Sequence, residues 1–239
     1  MKIKWIGQSG YVIDFKETRL IVDPYLSNSL ERIQGLKRLF PVSIEIAHLH
    51  PDFIYCTHNH LDHFDPETII QIVELFPLCK IIGPISVIEH AEKLKIKADN
   101  FILLQQGDHL QFPDFRITAT PAFHSDPYST GLLIETNKHT VYFSGDTENP
   151  PALAKVIKTM MRTQPDLFFV CINGKLGNMN INEAVRLTKD IQPKLVIPNH
   201  YGMFAENTAD PRCFLNACDN EKIKSMALEI GQTIDVLTT

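Results

Sequence analysis

The sequence predicts an α/β protein in which two sheets pack together with helices outside. Three observations carry that expectation. A β-rich run opens the chain and gives way to alternating strands and helices, and the same succession recurs after Asn100. The 239 residues, 44% of them apolar, are enough to bury the core such an arrangement needs. No linker, low-complexity tract or short-period repeat divides the chain, so one domain over 1–239 is expected.

Residues 2–7, 11–15 and 19–23 are rich in Ile, Val and aromatics and are separated by short polar turns, which predicts a β-meander. From 24 to 51 the pattern turns polar. Leu30, Ile33, Leu36 and Leu39 recur every three residues there, behind Ser27, Asn28 and Ser29 as caps, and a short helix ending near Gly35 is expected. The segment reads either as a satellite helix packing its leucines on the core or as a lid whose Arg32, Lys37 and Arg38 meet a substrate phosphate. Packing is the favoured reading for the leucines, and a solvated helix face for the charges. Strands follow at 53–56 and 80–82, with helices at 66–76 and 86–94; Ile69, Ile70, Val73 and Phe76 share one face of the first.

After Asn100 strands dominate again, at 101–104, 115–120, 132–136 and 140–144, the last two joined by the turn Thr136-Asn137-Lys138-His139. Then helices return at 150–161, 181–191 and 214–228, the last with a break near Asp219-Asn220, and strands at 167–172 and 195–198 alternate with them.

Composition excludes some functions. With 23 Lys and Arg against 28 Asp and Glu, the net charge of -5 argues against a protein that grips a phosphate backbone, so no nucleic-acid partner is expected. No apolar run approaches the roughly 20 residues of a bilayer span. The opening residues read into a strand without a signal-peptide run, so a cytoplasmic location is expected. The five cysteines form no CxxC pair and read as buried, inert thiols. Ten histidines are generous for a chain of this size.

Most of that excess is concentrated where chemistry would be. Directly after the strand at 53–56 comes Thr57-His58-Asn59-His60-Leu61-Asp62-His63. In an extended loop, residues two apart point the same way, so His58 and His60 can reach one cation while Asp62 and His63 reach a neighbouring one. Such a site needs further donors, and His124, Asp146 and His200 each stand where a strand stops. A carboxylate such as Asp146 has two oxygens and can bridge two cations. Five histidines, His48, His50, His90, His109 and His139, match no part of the pattern and read as solvated or locally hydrogen-bonded. Asp23 either caps the Pro24 turn or orients a ligand histidine. Lys175 and Asn178 are weaker candidates for a pocket wall.

The HxHxDH loop followed by single His, Asp and His at strand ends resembles the metallo-β-lactamase superfamily. The resemblance covers nearly the whole chain and implies a four-layer αββα sandwich. It also implies a first metal on His58, His60 and His124, a second on Asp62, His63 and His200, and Asp146 between them. The segments Ile21-Val22-Asp23-Pro24, Phe123-His124-Ser125, Gly177-Asn178-Met179 and His200-Tyr201-Gly202-Met203-Phe204 resemble small metal-dependent hydrolases related to L-ascorbate 6-phosphate lactonase.

The implied activity is hydrolysis by a metal-bound hydroxide of a small lactone or ester, phosphorylated or not, with Asp62 as the general base. A phosphodiesterase and a non-catalytic metal- or metabolite-binding protein are the alternatives. The implied cofactor is one or two divalent metal ions, with zinc or manganese favoured. The expected partner is a small-molecule substrate, with no membrane, and a symmetric homo-oligomer is compatible with the resemblance.

Overall fold

The computed structural model describes residues 1–236. Strands β1 (Lys2–Gly7), β2 (Gly10–Asp14) and β3 (Arg19–Val22) form the expected antiparallel meander. Onto β3 are added β4 (Phe53–Tyr55), β5 (Lys80–Gly83) and β6 (Phe101–Leu103), all parallel. The second sheet repeats the plan. Strands β7 (His109–Gln111), β8 (Phe115–Pro121), β9 (Thr130–Thr136) and β10 (Thr140–Phe143) run antiparallel, and β11 (Leu167–Cys171) and β12 (Leu195–Asn199) continue in parallel. A final strand, β13 (Thr233–Asp235), closes the free side of β1. The sheet orders are β13-β1-β2-β3-β4-β5-β6 and β12-β11-β10-β9-β8-β7.

The layers follow from side-chain alternation along strands buried on both faces. Tyr11 of the first sheet meets Phe143 and Phe169 of the second at ring distances of 5.1 and 4.8 Å, which places these residues at the seam between the sheets. Phe168, one residue along, turns the other way and stacks on Tyr142. Helices α2 (Pro66–Leu75) and α3 (Ile85–Lys93) bury Ile69, Ile72 and Val87 together with Ile21, Ile54 and Ile81 of the first sheet. Helices α4 (Leu153–Met160) and α5 (Ile181–Ile191) bury Ile157, Leu187 and Ile191 in the core that includes the second sheet. The result is a four-layer αββα sandwich. No helix among the described residues is long and apolar enough to cross a membrane.

Four expectations need correction. The short edge strands β7 and β13 lie outside the expected set, because each carries a single apolar residue, Leu110 or Ile234, between polar ones, whereas the equally short β4 and β6 are apolar throughout. The helix expected at 214–228 is α6 (Pro211–Asn220), which starts earlier because Asp210 caps it with Pro211 in its first turn. Beyond Asn220, Lys222 takes φ +58° and the chain runs beside β12, where Val196 N–H bonds the Lys224 carbonyl and Met226 N–H bonds that of Val196. Those bonds occupy a sheet edge that would otherwise be open. The helix α1 (Ser29–Gln34) stops at Gly35, whose φ of +74° makes it a left-handed cap. Leu36 and Leu39 therefore lie past the helix and Ile33 is 60% exposed, so no leucine stripe forms. Cys213 is exposed, unlike the other four cysteines.

The 24–51 segment is nevertheless held firmly. Asp65, the N-cap of α2, accepts hydrogen bonds from Ser27 N–H (3.1 Å), Ser27 Oγ (2.9 Å) and Ser29 Oγ (2.9 Å) as well as from Glu67 N–H. Asp65→Ala strands these donors, the buried Ser29 hydroxyl among them, and removes a cap, and is expected to lower stability by about 2–3 kcal/mol. A urea titration checks this: the midpoint falls while the slope stays that of the parent.

Candidate metal centre

In the first sheet β1 and β3 to β6 point one way; in the second, β8, β10, β11 and β12 share a direction. Loops leaving the carboxyl ends of these strands meet at one edge of the seam, the usual location of sites in α/β sheets. Asp23 follows β3, the stretch 57–63 follows β4, and His124, Asp146 and His200 follow β8, β10 and β12. The backbone is forced to make these turns. Gly145 (φ +62°) precedes Asp146, and a Cβ there would lie 2.4 Å from the Thr130 carbonyl oxygen. Asp23 (φ +41°) and His200 (φ +60°) adopt left-handed conformations that cost non-glycine residues energy.

All seven candidate donors converge. His58 Nε2 lies 2.9 Å from His60 Nδ1, which lies 3.1 Å from His124 Nε2. On the other side His200 Nε2 is 3.3 Å from Asp62 Oδ2, and His63 Nε2 is 3.8 Å from the same oxygen. Asp146 stands between, with Oδ1 3.4 Å from His63 Nε2 and Oδ2 3.1 Å from His200 Nε2 and 3.9 Å from His124 Nε2. Three overlapping triads, His58/His60/His124, His58/His63/Asp146 and Asp62/His63/His200, each bring one donor atom per residue within 4.8 Å of the others.

The donor set fits divalent cations. Bonds of 2.0–2.1 Å in tetrahedral geometry separate ligand atoms by about 3.3 Å, close to the distances within the first triad. His63 Nε2 and Asp146 Oδ1 are buried and make no hydrogen bond, and imidazole nitrogens that face one another across 2.9–3.1 Å cannot both donate. A cation among them satisfies what the protein leaves open.

The electrostatics agree. Burial, reinforced by His63, holds the His58 imidazole well below its ordinary value, and burial with His63 and His124 lowers His60, so both are neutral donors. Burial would also lower His63 and His200, but the surrounding carboxylates outweigh it: Asp146, Asp62 and Asp23 raise His63 well above its usual range, and Asp146 and Asp62 push His200 up to about 9. Burial likewise opposes ionisation of Asp62 and Asp146, yet His63 and His200 hold both carboxyls far down. The pocket thus calls for positive charge beside two carboxylates, and a metal ion supplies it with both imidazoles left neutral.

Several residues hold the donors from behind. Asp23 Oδ2 accepts from His63 Nδ1 (2.8 Å) and from Thr57 Oγ1 (2.8 Å), so Asp23 orients a histidine in addition to turning the chain. Thr57 Oγ1 lies 3.0 Å from His58 Nδ1. His124 Nδ1 donates to the Gly177 carbonyl at 3.1 Å, and a Cβ on Gly177 (φ +84°) would sit 3.1 Å from that nitrogen. Gln8, which sequence reasoning missed, is fully buried, with Nε2 donating to Asp62 Oδ2 at 2.8 Å and approaching His200 at 3.1 Å. An amide in a glycine-flanked turn carries no ligand pattern; only its place after a strand signals it. Asn178 Nδ2 donates to Asp146 Oδ2 at 2.7 Å, whereas Lys175 Nζ turns away to the Glu206 carbonyl. Of the five remaining histidines, His48, His50 and His109 are exposed, His90 lies 3.3 Å from the Asn59 carbonyl and His139 lies 3.5 Å from Asp166.

A cleft of about 330 Å³ opens on the donors. His60, Asp62, His124, Asp146 and His200 lie on its surface; Leu30, Leu36, Leu61, Leu176 and Phe204 supply apolar wall, and Asn59, Ser125, Asn178 and Asn207 polar wall.

An αββα sandwich with a His/Asp cluster at the carboxyl edge of its seam defines a metallo-β-lactamase-type protein. A family model described as a beta-lactamase superfamily domain matches residues 2–200, and the chain belongs to that family. A UPF0173 metal-dependent hydrolase of Staphylothermus marinus is 28% identical over 240 residues, covering 97% of both chains. One of Oenococcus oeni is 28% identical over 236 residues, covering 90% of this chain and 92% of that one. Two solved structures share the fold. A metallo hydrolase from Ignicoccus hospitalis has a TM-score of 0.75 at 24% identity, covering 98% of this chain and 97% of the other. The isothiocyanate hydrolase from Delia radicum gut bacteria has a TM-score of 0.80 at 18% identity, covering 98% of each.

Asp23→Asn keeps the shape of the side chain but loses an acceptor that His63 Nδ1 and Thr57 share. Zinc affinity of the site containing His63 is expected to fall about 10- to 100-fold, read by competition with a chromophoric chelator. Gly177→Ala is expected to weaken the site containing His124 in the same assay, through the crowding of its Nδ1 and the strain of a left-handed alanine.

Proposed function

We propose that the chain is a metal-dependent hydrolase acting on a small lactone or ester. The observation that carries this reading is the convergence of seven donors in three overlapping triads, five of them on the surface of an open cleft. The names of the relatives, UPF0173 metal-dependent hydrolase, support the activity, and the substrate class rests on the resemblance of four segments to hydrolases related to a lactonase. A cleft of this volume suits a small molecule, the partner proposed here.

His58, His60 and His124 would hold one cation and Asp62, His63 and His200 the other, with Asp146 reaching both; zinc and manganese suit imidazole and carboxylate donors. When bound, such ions supply Lewis acidity, acidifying a water and polarising an acyl oxygen. The remaining work falls to the chain. Asp62, on the cleft surface and ionised, would accept the proton of the attacking water, and Gln8 Nε2 orients its carboxylate through Oδ2. Asn178 holds Asp146 in place from the wall, and the leucines exclude bulk water from the reacting bond.

The chelator-stripped protein is expected to be inactive and to regain turnover of lactones or esters with zinc or manganese. A fully loaded protein that hydrolyses none of a broad panel would end the proposal. Asp62→Asn is expected to lower kcat by about 10²- to 10⁴-fold with metal content measured alongside; unchanged turnover would remove Asp62 as the base.

A further inference from the structure

The cleft walls show which substrate the donors would serve. Leu30, Leu36, Leu61, Leu176 and Phe204 line it, and among the described residues no lysine or arginine does. Of the cations nearest in sequence to these walls, Lys37 is exposed and does not line the cleft, and three others are committed elsewhere. Arg38 donates through one nitrogen to the carbonyls of Tyr25 and Ser27, both at 3.0 Å, and lies over the Tyr25 ring. Arg32 pairs with Glu67, and Lys175 bonds the Glu206 carbonyl at 2.7 Å.

Neutral amides do not replace their charge. Asn178 spends its Nδ2 on Asp146 and on the Asn173 oxygen (3.0 Å), which leaves the amides of Gln34, Asn59 and Asn207 as uncharged donors along the wall. The atom that Asn178 leaves unpaired, Oδ1, is an acceptor. An anionic group away from the scissile bond would have to shed water against leucine and an acceptor oxygen, with no fork of donors to receive it. Cations held by the seven donors would serve the reacting bond at the floor and would leave the walls without a positively charged side chain.

We infer that the cleft selects a neutral lactone or ester carrying a compact apolar substituent, and rejects one whose substituent is phosphorylated. The inference rests on the hydrolase reading above. Leu176 is the residue that sets this selection at the mouth: it is 74% exposed yet lines the cleft, held there by its own left-handed backbone (φ +54°) and that of Gly177. A polar residue would be the ordinary occupant of so exposed a position.

The test uses γ-lactones with side chains from methyl to pentyl, a γ-lactone with a phosphorylated side chain, and the matching γ-lactams. Turnover of the lactones is measured on the zinc- or manganese-loaded protein, and binding of the lactams by calorimetry on both loaded and metal-free protein. Both kcat/KM and lactam affinity are expected to rise by up to about fourfold per methylene until the cleft is filled. The phosphorylated compounds fall about tenfold or more below the propyl ones. Leu176→Lys, at an exposed position, flattens the alkyl series and raises affinity for the phosphorylated lactam. A flat alkyl series, or preference of the parent protein for the phosphorylated compounds, overturns the inference while turnover upholds the hydrolase reading. Lactam affinities that climb with chain length in a protein that hydrolyses nothing uphold the selection and end the hydrolase reading.

Discussion

Donor atoms that face one another across the seam between two sheets cannot satisfy themselves, and this constraint organises the rest of the molecule. Five imidazoles and two carboxylates present lone pairs to a shared space, so neighbouring groups must hold these side chains in place. Thr57, Asp23 and the Gly177 carbonyl occupy the rear nitrogens of His58, His63 and His124, while Gln8 and Asn178 brace Asp62 and Asp146. The strain in this frame is concentrated where it is needed. Gln8, Asp23 and His200 all carry positive φ, a cost on the order of 1–3 kcal/mol each that the packed sandwich must offset.

The sheets make that offset possible and also set the direction of approach. Each half of the chain begins as an antiparallel meander and finishes with parallel strands, so the carboxyl ends of β1, β3 and β4 face the same edge as those of β8, β10 and β12. Tyr11 shows how closely core and site are joined. Its ring packs against the stacked rings of Phe143 and Phe169 at the seam, and its hydroxyl donates to Asn199 Oδ1 at 2.9 Å, one residue before His200. The apolar seam therefore fixes the turn that aims a donor, and loosening the packing loosens the site.

The parts of this arrangement that were legible in the sequence are those that repeat or crowd together. The meander and the alternation after it announce themselves because β-branched and aromatic residues cluster between polar turns, and His58, His60, Asp62 and His63 crowd into one loop. His124, Asp146 and His200 became legible only as members of that larger pattern. What stayed hidden acts through a single hydrogen bond or through backbone geometry. Gln8 is an amide in a turn, Gly177 acts through a carbonyl and an absent Cβ, and β7 and β13 hold a single apolar residue each. The period of three in Leu30, Ile33, Leu36 and Leu39 misled because Gly35 ends the helix halfway along it.

The same segment resolves the choice between a packing element and a lid. Leu30 and Leu36 do pack, but against Tyr25, Met203 and Phe204 beside the cleft and not on the main core. Arg38 crosses back to bridge Phe204 in the backbone, Leu39 N–H bonds the Met203 carbonyl, and Ser43 Oγ bonds the Ile6 carbonyl. A segment fastened at three points and capped through Asp65 is a wall, not a hinged cover. Its arginines are consumed in making it so, and the chemistry follows: the bonds that stiffen the wall are the bonds that turn Arg32 and Arg38 away from the substrate. The acidic balance of the whole chain says little about this cleft, whose character is set by leucines at the walls and by the charge its floor is built to receive.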